Sequence, residues 1–246
     1  MTGSPSAFLG WSRAGCRLAE LTPPRAIILD IEGTTTPIAF VRDVLFPYAR
    51  ARLPAVLRDK HQDPDIAALI YEATQLAGGR PLGIEEVTHL FLTWCDADLK
   101  LPPLKALQGI VWRQGYLDGT LRSPVYPDVP QALRKWRARG IDHYVYSSGS
   151  VDAQRLLFRY SDQGDLTVYF RGYFDATIGP KTAADSYRAI QRAIGHHAAD
   201  LLFLSDSSAE IAAARSAGWQ ALLVERDGPM PGREPPAIAC FSELDL

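Results

Sequence analysis

Cysteine is scarce in this chain of 246 residues, which contains only Cys16, Cys95 and Cys240. The three cysteines are odd in number, lie far apart and form no Cys-x-x-Cys pair. Such spacing predicts neither a disulfide framework nor a thiolate zinc site. We therefore expect a protein of the reducing cytoplasm.

An excess of one charge and long apolar runs are also missing. The formal net charge is −2, and no run of lysines or arginines could form a surface for nucleic acid or a membrane. The longest uninterrupted apolar runs are only a few residues, far shorter than a membrane span. We expect no nucleic-acid partner and no membrane partner, and a small molecule as the substrate of any reaction.

Several familiar catalytic patterns are absent as well. The chain has no Ser/His/Asp arrangement and no Gly-x-Gly-x-x-Gly loop. Its five histidines lack metal-ligand spacing apart from the adjacent pair His196 and His197, for which exposure in a loop is the simpler explanation. What remains is an ordinary soluble composition, 47% hydrophobic and 22% charged, in a chain long enough to bury a core.

Short apolar runs alternate with amphipathic helical stretches from residue 25 onward. Each run is followed by polar or small residues, which is typical of parallel strands buried on both faces. The strand candidates are residues 26–30, 143–147, 200–205 and 219–224. Between them lie helix candidates such as residues 128–140, with apolar residues along one face. The pattern predicts an α/β fold with a doubly wound parallel sheet.

Residues 41–124 interrupt this alternation. They contain several helical stretches separated by Pro and Gly signals, and no convincing strand. We predict a helical insertion at 41–124 within an α/β core formed by residues 25–40 and 125–246. Residues 1–24 are predicted to be a weakly ordered N-terminal extension, since their apolar patch is too short for a signal-peptide core.

The stretch AIILDIEGTTTPIAF places two carboxylates, Asp30 and Glu32, at the end of the first predicted strand. One interpretation is an acidic turn built with Gly33 and Thr34. The other is that one carboxylate is a nucleophile or metal ligand and its neighbour a general acid/base over the same site. Gly33 would allow a sharp turn, and Thr34 and Thr35 could donate to an oxyanion.

Two other segments supply polar residues at or near the same edge of the sheet. Ser147 and Ser148 follow a strand, where they could hold a phosphate at a helix N-terminus, although Ser150 alone could simply cap that helix. Lys181 lies in a loop before a helix. A loop lysine is usually a solvated charge, but beside carboxylates it would neutralise a phosphoryl group.

Asp206 ends an apolar strand, and Glu210 follows four residues later. Both acids would suit a helix N-terminus for structural reasons alone. Because ligands of parallel α/β sheets bind at the carboxyl ends of the strands, Asp206 is also expected near Asp30. Two such carboxylates would form a hard oxygen site suited to Mg²⁺.

DIEGT at a strand end, a serine at a strand end, a loop lysine and a final strand followed by Asp206 resemble the four motifs of the haloacid dehalogenase-like phosphatases. The helical insertion occupies the place of the cap domain in that superfamily. In most members the second acid of the first motif is aspartate, whereas this chain has Glu32. Glu32 therefore narrows the set of families within this superfamily that the chain can resemble.

Longer segments carry a closer resemblance. DIEGTTTPIAFV, DVLFPYA, LQGIVWRQGY, VYSSGSVDAQRLLF and YFDATIGPK resemble the enolase-phosphatases of methionine salvage, also called acireductone synthases, and the likeness runs over roughly residues 25 to 245. The resemblance implies a cytoplasmic, monomeric enzyme with one Mg²⁺ per subunit. It would enolise 2,3-diketo-5-methylthiopentyl 1-phosphate and then hydrolyse the ester, giving phosphate and the acireductone 1,2-dihydroxy-3-keto-5-methylthiopentene.

The resemblance also implies roles for individual residues. The implied metal ligands are Asp30, Glu32 and Asp206, the implied substrate ligands are Ser147, Ser148 and Lys181, and the implied catalytic residues are Asp30, Glu32 and Lys181. We expect Asp30 to attack phosphorus, and Glu32 to protonate the leaving oxygen and later activate water. Glu32 should then have a raised pKa.

Some alternatives stay open at this point. The chain could be a haloacid dehalogenase-like phosphatase acting on another small phosphate ester, or a binding module that keeps the fold without catalysis. The enolisation base could be Glu32, Asp30 or a cap residue, and Glu210 could assist the metal site. The aromatic candidates for contact with the methylthio tail are Phe40, Phe46, Trp112 and Tyr116, although core packing would explain most of them.

Overall fold

The computed structural model describes residues 21–228 and 237–246, and a parallel sheet forms its centre. The strands are β1 Ala26–Leu29, β2 Asp142–Tyr146, β3 Gly172–Phe174, β4 Leu201–Ser205, β5 Gln220–Val224 and β6 Ala237–Ile238. They pair in the order β3-β2-β1-β4-β5-β6, and every pair is parallel. The four predicted strands are confirmed. The sequence did not reveal β3 and β6, because strands of three and two residues are too short to show a period.

Helices flank this sheet and fill the segment after β1. Their bounds are α1 Ile38–Phe40, α2 Phe46–Lys60, α3 Pro64–Leu76, α4 Ile84–Asp96, α5 Pro102–Leu117, α6 Asp128–Ala138, α7 Val151–Arg159, α8 Ala184–Ile194 and α9 Ser208–Ser216. A π-helical segment, Val41–Leu45, joins α1 to α2. Short 3₁₀ turns occupy Thr167–Tyr169, Ala198–Asp200 and Phe241–Glu243.

Local side chains explain where several helices begin. Asp63, Ser150 and Ser207 each accept a hydrogen bond from a backbone N–H in the first turn of the helix that follows, over 3.0 to 3.4 Å. Such caps satisfy amide donors that a helix leaves without an internal partner. The predicted capping of α7 by Ser150 is therefore confirmed.

Side chains of the central strands alternate between two apolar clusters, one on each face of the sheet. Ile27 and Leu29 belong to the cluster that α6 and α7 cover, whereas Ala26 and Ile28 belong to the cluster that α8 and α9 cover. Successive residues of a strand point to opposite faces, so burial of all four requires helices on both sides. The doubly wound α/β fold is confirmed.

The helices α2 to α5 pack around an apolar cluster of their own, which includes Leu53, Phe91, Leu107 and Val111. This cluster is distinct from the two on the sheet. It supports the predicted boundaries of the helical insertion and of the α/β core, which stay a prediction. No helix in the described ranges is both long and apolar enough to cross a membrane.

The end of the predicted N-terminal extension contacts the sheet. The amide of Thr22 donates to Oε1 of Gln220 at 3.0 Å, and Nε2 of Gln220 donates to the Thr22 carbonyl at 3.0 Å. The chain is therefore joined to β5 immediately before β1 begins. Residues 1–20, most of the predicted extension, lie outside the described residues.

Candidate active site

The loop after β1 is a tight turn organised around one carbonyl. The amides of Thr34, Thr35 and Thr36 all donate to the carbonyl of Ile31, at 3.2, 2.9 and 2.9 Å. Gly33 closes the turn by donating to the Thr36 carbonyl at 2.8 Å, with a left-handed φ of 70°. The turn folds the acidic segment back over the end of the sheet, where its carboxylates can meet those of other strands.

Asp206, which follows β4, lies directly against this turn. A Cβ atom added at Gly33 would lie 2.1 Å from Oδ2 of Asp206, so only glycine leaves room for the carboxylate. The hydroxyl of Thr34 accepts from the Asp206 amide at 3.0 Å and donates to Oδ2 of Asp30 at 3.4 Å. The structure thus brings Asp30 and Asp206 together, as the strand-end placement predicts.

Lys181 reaches the same place from the loop before α8. Its Nζ forms an ion pair with Oδ1 of Asp30 and a second one, at 2.7 Å, with Oε2 of Glu210. Its side chain is only 12% exposed, so the interpretation of Lys181 as a solvated surface charge is wrong. Burial lowers the pKa of Lys181, but the two carboxylates outweigh burial and hold that pKa above its ordinary value.

Glu210 and Ser205 complete the cluster. The Ser205 hydroxyl donates to Oε2 of Glu210 at 2.8 Å and lies 3.4 Å from Oδ2 of Asp30. The sequence left the part played by Glu210 open, and the structure makes it a partner of Lys181. Ser205 was missed, although a serine at the end of the apolar run LLFLS was a usable signal, because a polar residue in a fully buried strand needs a partner.

Crowding of carboxylates alters their proton affinity. Burial, and then the charge of Asp30, raise the pKa of Glu32, which confirms the expected direction. Loss of solvent contact and the Asp30 charge raise the pKa of Asp206 to about 6. Burial and the Asp30 charge also raise the pKa of Glu210, against the opposing charge of Lys181. Four carboxylates therefore crowd around the ammonium group of Lys181, which pairs with Asp30 and Glu210, and the site has an excess of negative charge.

Ser147 and Ser148 lie on the facing loop, between β2 and α7. Ser147 is buried, its amide donates to the Phe174 carbonyl at 3.2 Å, and its hydroxyl accepts from the Gly149 amide at 3.2 Å. Ser148 is exposed, and its carbonyl accepts from Nζ of Lys105 at 2.9 Å. Lys105 belongs to α5, so this bond links the helical insertion to the loop of the sheet.

Two adjoining cavities lie between the loop of Ser147 and Ser148 and the carboxylates of the site. One, of about 300 Å³, is charged and is lined by Asp30, Glu32, Ser147, Ser148, Lys181, Asp206 and Glu210, together with four uncharged residues that include Ile38. The other, of about 400 Å³, is mainly apolar and extends between the sheet and helices of the insertion. Glu32, Ser147 and Ser148 line both cavities. A ligand could therefore place a charged group at Asp30 and an apolar group under the helices.

Three of the four aromatic candidates line the apolar cavity. These are Phe46, Trp112 and Tyr116. Phe46 and Trp112 contact each other edge to face with ring centroids 5.8 Å apart, and Trp112 also donates to the Leu45 carbonyl at 2.7 Å. Phe40 does not line this cavity and packs in a small apolar cluster instead. Core packing is thus the role of Phe40.

The carboxylates suit a hard cation such as Mg²⁺. Within residues 21–228 and 237–246, no group of three or more His, Cys, Asp or Glu side chains is arranged to hold a metal ion. Mg²⁺ does not need such a group, since one or two carboxylates, several waters and a substrate phosphate commonly bind it. Asp30 and Asp206 offer two carboxylates with excess negative charge around them, and so they fit. The assignment of Asp30, Glu32 and Asp206 as metal ligands stays a prediction.

Comparison with known proteins gives one consistent result. Residues 24–218, more than half of the chain, match the family described as haloacid dehalogenase-like hydrolases. "Enolase-phosphatase E1" of Pseudomonas aeruginosa (strain UCBPP-PA14) is 48% identical over 221 residues, which are 89% of this chain and 97% of the relative. The protein of the same name from Parvibaculum lavamentivorans is 50% identical over 206 residues, 84% of this chain and 88% of the relative.

A solved structure agrees with these sequence relatives. The crystal structure of the UTR4 protein of Saccharomyces cerevisiae superposes with a TM-score of 0.78 at 35% sequence identity. The superposition covers 90% of this chain and 100% of the yeast chain. The likeness therefore includes the helices between β1 and β2 as well as the sheet.

Proposed function

The chain belongs to the enolase-phosphatase family of the haloacid dehalogenase-like hydrolases, and on that premise we propose that it converts 2,3-diketo-5-methylthiopentyl 1-phosphate to an acireductone and phosphate. The acireductone is 1,2-dihydroxy-3-keto-5-methylthiopentene, and the reaction would serve methionine salvage. The observation that carries the proposal is the position of Glu32, which lines both the charged and the apolar cavity. A substrate with a phosphate, a diketone and a methylthio tail carries its charged and apolar groups in the same order as the two cavities.

Asp30 is the proposed nucleophile of the phosphatase step. Its Oδ1 pairs with Lys181, its Oδ2 accepts from the Thr34 hydroxyl, and the Ser205 hydroxyl lies 3.4 Å from Oδ2, so the carboxylate is held in one orientation. One of its oxygens would bond to phosphorus while the bond from phosphorus to the substrate oxygen breaks. Water would then release phosphate from the aspartyl-phosphate. Lys181 and Ser147 would stabilise the charge on the phosphoryl oxygens.

Glu32 is the proposed acid and base of the same step. Its raised pKa favours the protonated form that the leaving oxygen needs, and the carboxylate formed afterwards can take a proton from the attacking water. Among the described residues, no hydrogen bond or ion pair fixes the Glu32 carboxylate. It is therefore able to turn between the two positions that these proton transfers require.

The enolisation step needs a base beside the diketone. Asp30 lines only the charged cavity, whereas Glu32 also lines the apolar one, where a diketone would lie if the phosphate were at Asp30. This placement supports Glu32 over Asp30 as the group that removes the proton from the carbon next to a carbonyl. Asp98, Lys100 and Lys105 of the helical insertion also line the apolar cavity, so a cap residue stays the alternative base.

One Mg²⁺ per subunit is part of the proposal, held by Asp30 and Asp206 with Glu32 as the further predicted ligand. Bound there, it would polarise a substrate carbonyl and neutralise phosphate charge. Family membership also supports the proposals that the enzyme is a monomer and that it works in the cytoplasm. The same membership makes a small phosphate ester its substrate class.

The deciding experiment supplies the diketone phosphate with Mg²⁺ and follows enol absorbance and inorganic phosphate in one sample. A rise in enol absorbance before phosphate release is the expected result. Phosphate release without an enol phase, together with faster turnover of another small phosphate ester in a panel, would indicate a general phosphatase instead. Inactivity towards every ester with Mg²⁺ present would indicate a binding module.

A further inference from the structure

Arg226 is a nearly buried cation that contacts the loop carrying the candidate nucleophile. Its side chain is 9% exposed and lies just beyond the end of β5. Nε donates to the carbonyl of Thr34 at 2.9 Å, and Nη2 donates to the same oxygen. Burial of a guanidinium is costly unless its donors are satisfied, so this two-pronged contact with a single backbone carbonyl is a specific arrangement.

The rest of the guanidinium is fixed by other segments. Nη1 donates to Oδ2 of Asp128 at 2.8 Å and lies 3.3 Å from the Ala239 carbonyl. The Tyr126 and Phe241 rings lie 4.2 and 4.6 Å from Cζ, measured to the ring centroids. Asp128 at the start of α6, Tyr126 just before that helix, and the C-terminal residues Ala239 and Phe241 therefore hold the guanidinium in place. Because the guanidinium is held, the Thr34 carbonyl that it binds is held as well.

Thr34 connects Arg226 to both Asp30 and Asp206. Its carbonyl accepts from Arg226, and its hydroxyl accepts from the Asp206 amide at 3.0 Å and donates to Asp30 at 3.4 Å. The peptide of Thr34 can therefore not rotate without disturbing either the buried Arg226 or the separation of the two carboxylates.

We propose that Arg226 is a positioning residue, which sets the separation of Asp30 and Asp206 through Thr34. The inference rests on the proposed function in one respect, that these two carboxylates carry the reaction. Arg226 acts through geometry, because its charge is paired with Asp128 and its contact with the loop ends at a backbone carbonyl. A lysine would keep the charge but has no planar fork to hold Thr34 and Asp128 together.

The test compares Arg226→Lys with Arg215→Lys. Arg215 makes the same kind of contact elsewhere, since its Nε and Nη2 both donate to the Ala221 carbonyl, at 3.3 and 2.8 Å, between α9 and β5. Arg215→Lys should lower the thermal midpoint and leave kcat unchanged. Arg226→Lys should lower kcat by about 10- to 100-fold with a smaller change in KM, since small misplacements of reacting groups have effects of that size.

A second measurement does not depend on activity. Amide hydrogen exchange of Asp206 reports the bond to the Thr34 hydroxyl, and amides of β2 provide the internal reference. Exchange at Asp206 should become about tenfold faster relative to β2 in Arg226→Lys, and should keep its ratio in Arg215→Lys. If Arg226→Lys does not fold, Asp128→Asn takes its place, because it loosens the guanidinium without removing it.

A double-mutant cycle tests whether Arg226 acts on the reaction through Thr34. Thr34→Val removes the hydroxyl that joins the two acids but keeps the carbonyl, so the loss of kcat caused by Arg226→Lys should shrink in the Thr34→Val background. Fully additive losses, equal losses in Arg215→Lys, or an unchanged Asp206 exchange ratio would each overturn the proposal. If the wild type does not act on the diketone phosphate, the proposed function fails, while the exchange measurement still decides the role of Arg226.

Discussion

Replacing Gly33 by alanine tests the close approach of the Asp206 carboxylate to the turn after β1. Two effects are expected to act together in Gly33→Ala. The residue has a φ of 70°, a left-handed conformation that costs an ordinary residue about 1–2 kcal/mol. The new Cβ would also lie 2.1 Å from Oδ2 of Asp206, closer than real Cβ atoms come to other atoms. The carboxylate or the loop must therefore move by roughly 1 Å, a displacement that can reduce a rate about 100-fold.

Gly140→Ala is the matched control, because Gly140 shares only the first effect. Its φ is 79°, but a Cβ added there would meet nothing within 4 Å. Gly140→Ala should lose about 1–2 kcal/mol, which for a chain of this size corresponds to a fall of roughly 2–8 °C in the thermal midpoint, and Gly33→Ala should lose at least as much. Only Gly33→Ala should also lose catalytic rate.

The assay is phosphate release from the diketone phosphate, with the thermal midpoint of each variant measured in the same buffer at several Mg²⁺ concentrations. We expect Gly33→Ala to lower kcat by about 100-fold and to require more Mg²⁺. Wild-type kcat in Gly33→Ala would show that the Asp206 position does not matter. An equal loss of kcat in both variants would show that backbone strain, not displacement of the carboxylate, is responsible.

Three further predictions follow from the same geometry. Asp30→Asn should abolish phosphate release, because the amide cannot attack phosphorus, and wild-type-like release measured with the diketone phosphate would eliminate Asp30 as the nucleophile. Glu32→Asp should impair enol formation and ester hydrolysis unequally, because the shorter side chain has to reach two different atoms; equal losses in the two separately monitored steps would remove the reason for a glutamate. Burial lowers the pKa of His143 from 6.5 to about 4, so the folded state binds fewer protons than the unfolded state in that range, and the free energy of unfolding should fall as pH drops from about 6.5 towards 4. The expected loss at pH 5 is roughly 2 kcal/mol in urea titrations, and an equally steep fall in His143→Gln would assign it to other groups.

Much of the framework follows from sequence patterns because the energetics there are local. A strand buried on both faces must be continuously apolar, and ligands of such sheets bind where the strands end, which is why Asp30, Ser147 and Asp206 could be placed at one edge. The short strands β3 and β6 could not be predicted in this way, because they have no recognisable period and form only by pairing with neighbouring strands.

The contacts that complete the site depend on tertiary packing. Lys181 lies 151 residues from Asp30 along the chain, and Arg226 lies 192 residues from Thr34. Neither a loop lysine nor an arginine after a strand shows in sequence which carboxylate or carbonyl it will meet. Only the fold decides that Lys181 is shared by two acids and that Arg226 ends on a backbone oxygen.

The carboxylates of Asp30 and Glu32 have different surroundings, which suit them to different tasks. Asp30 has a short side chain with one oxygen paired with Lys181 and the other bonded to the Thr34 hydroxyl and close to Ser205, which suits a nucleophile that must approach phosphorus from one direction. The Glu32 carboxylate, with no fixed partner among the described residues, lines both cavities and has a raised pKa, which suits a group that exchanges protons with differently placed atoms. An aspartate at position 32 would be shorter by one methylene group and would reach less far into the apolar cavity. The glutamate is therefore the residue through which one site could serve both enolisation and ester hydrolysis.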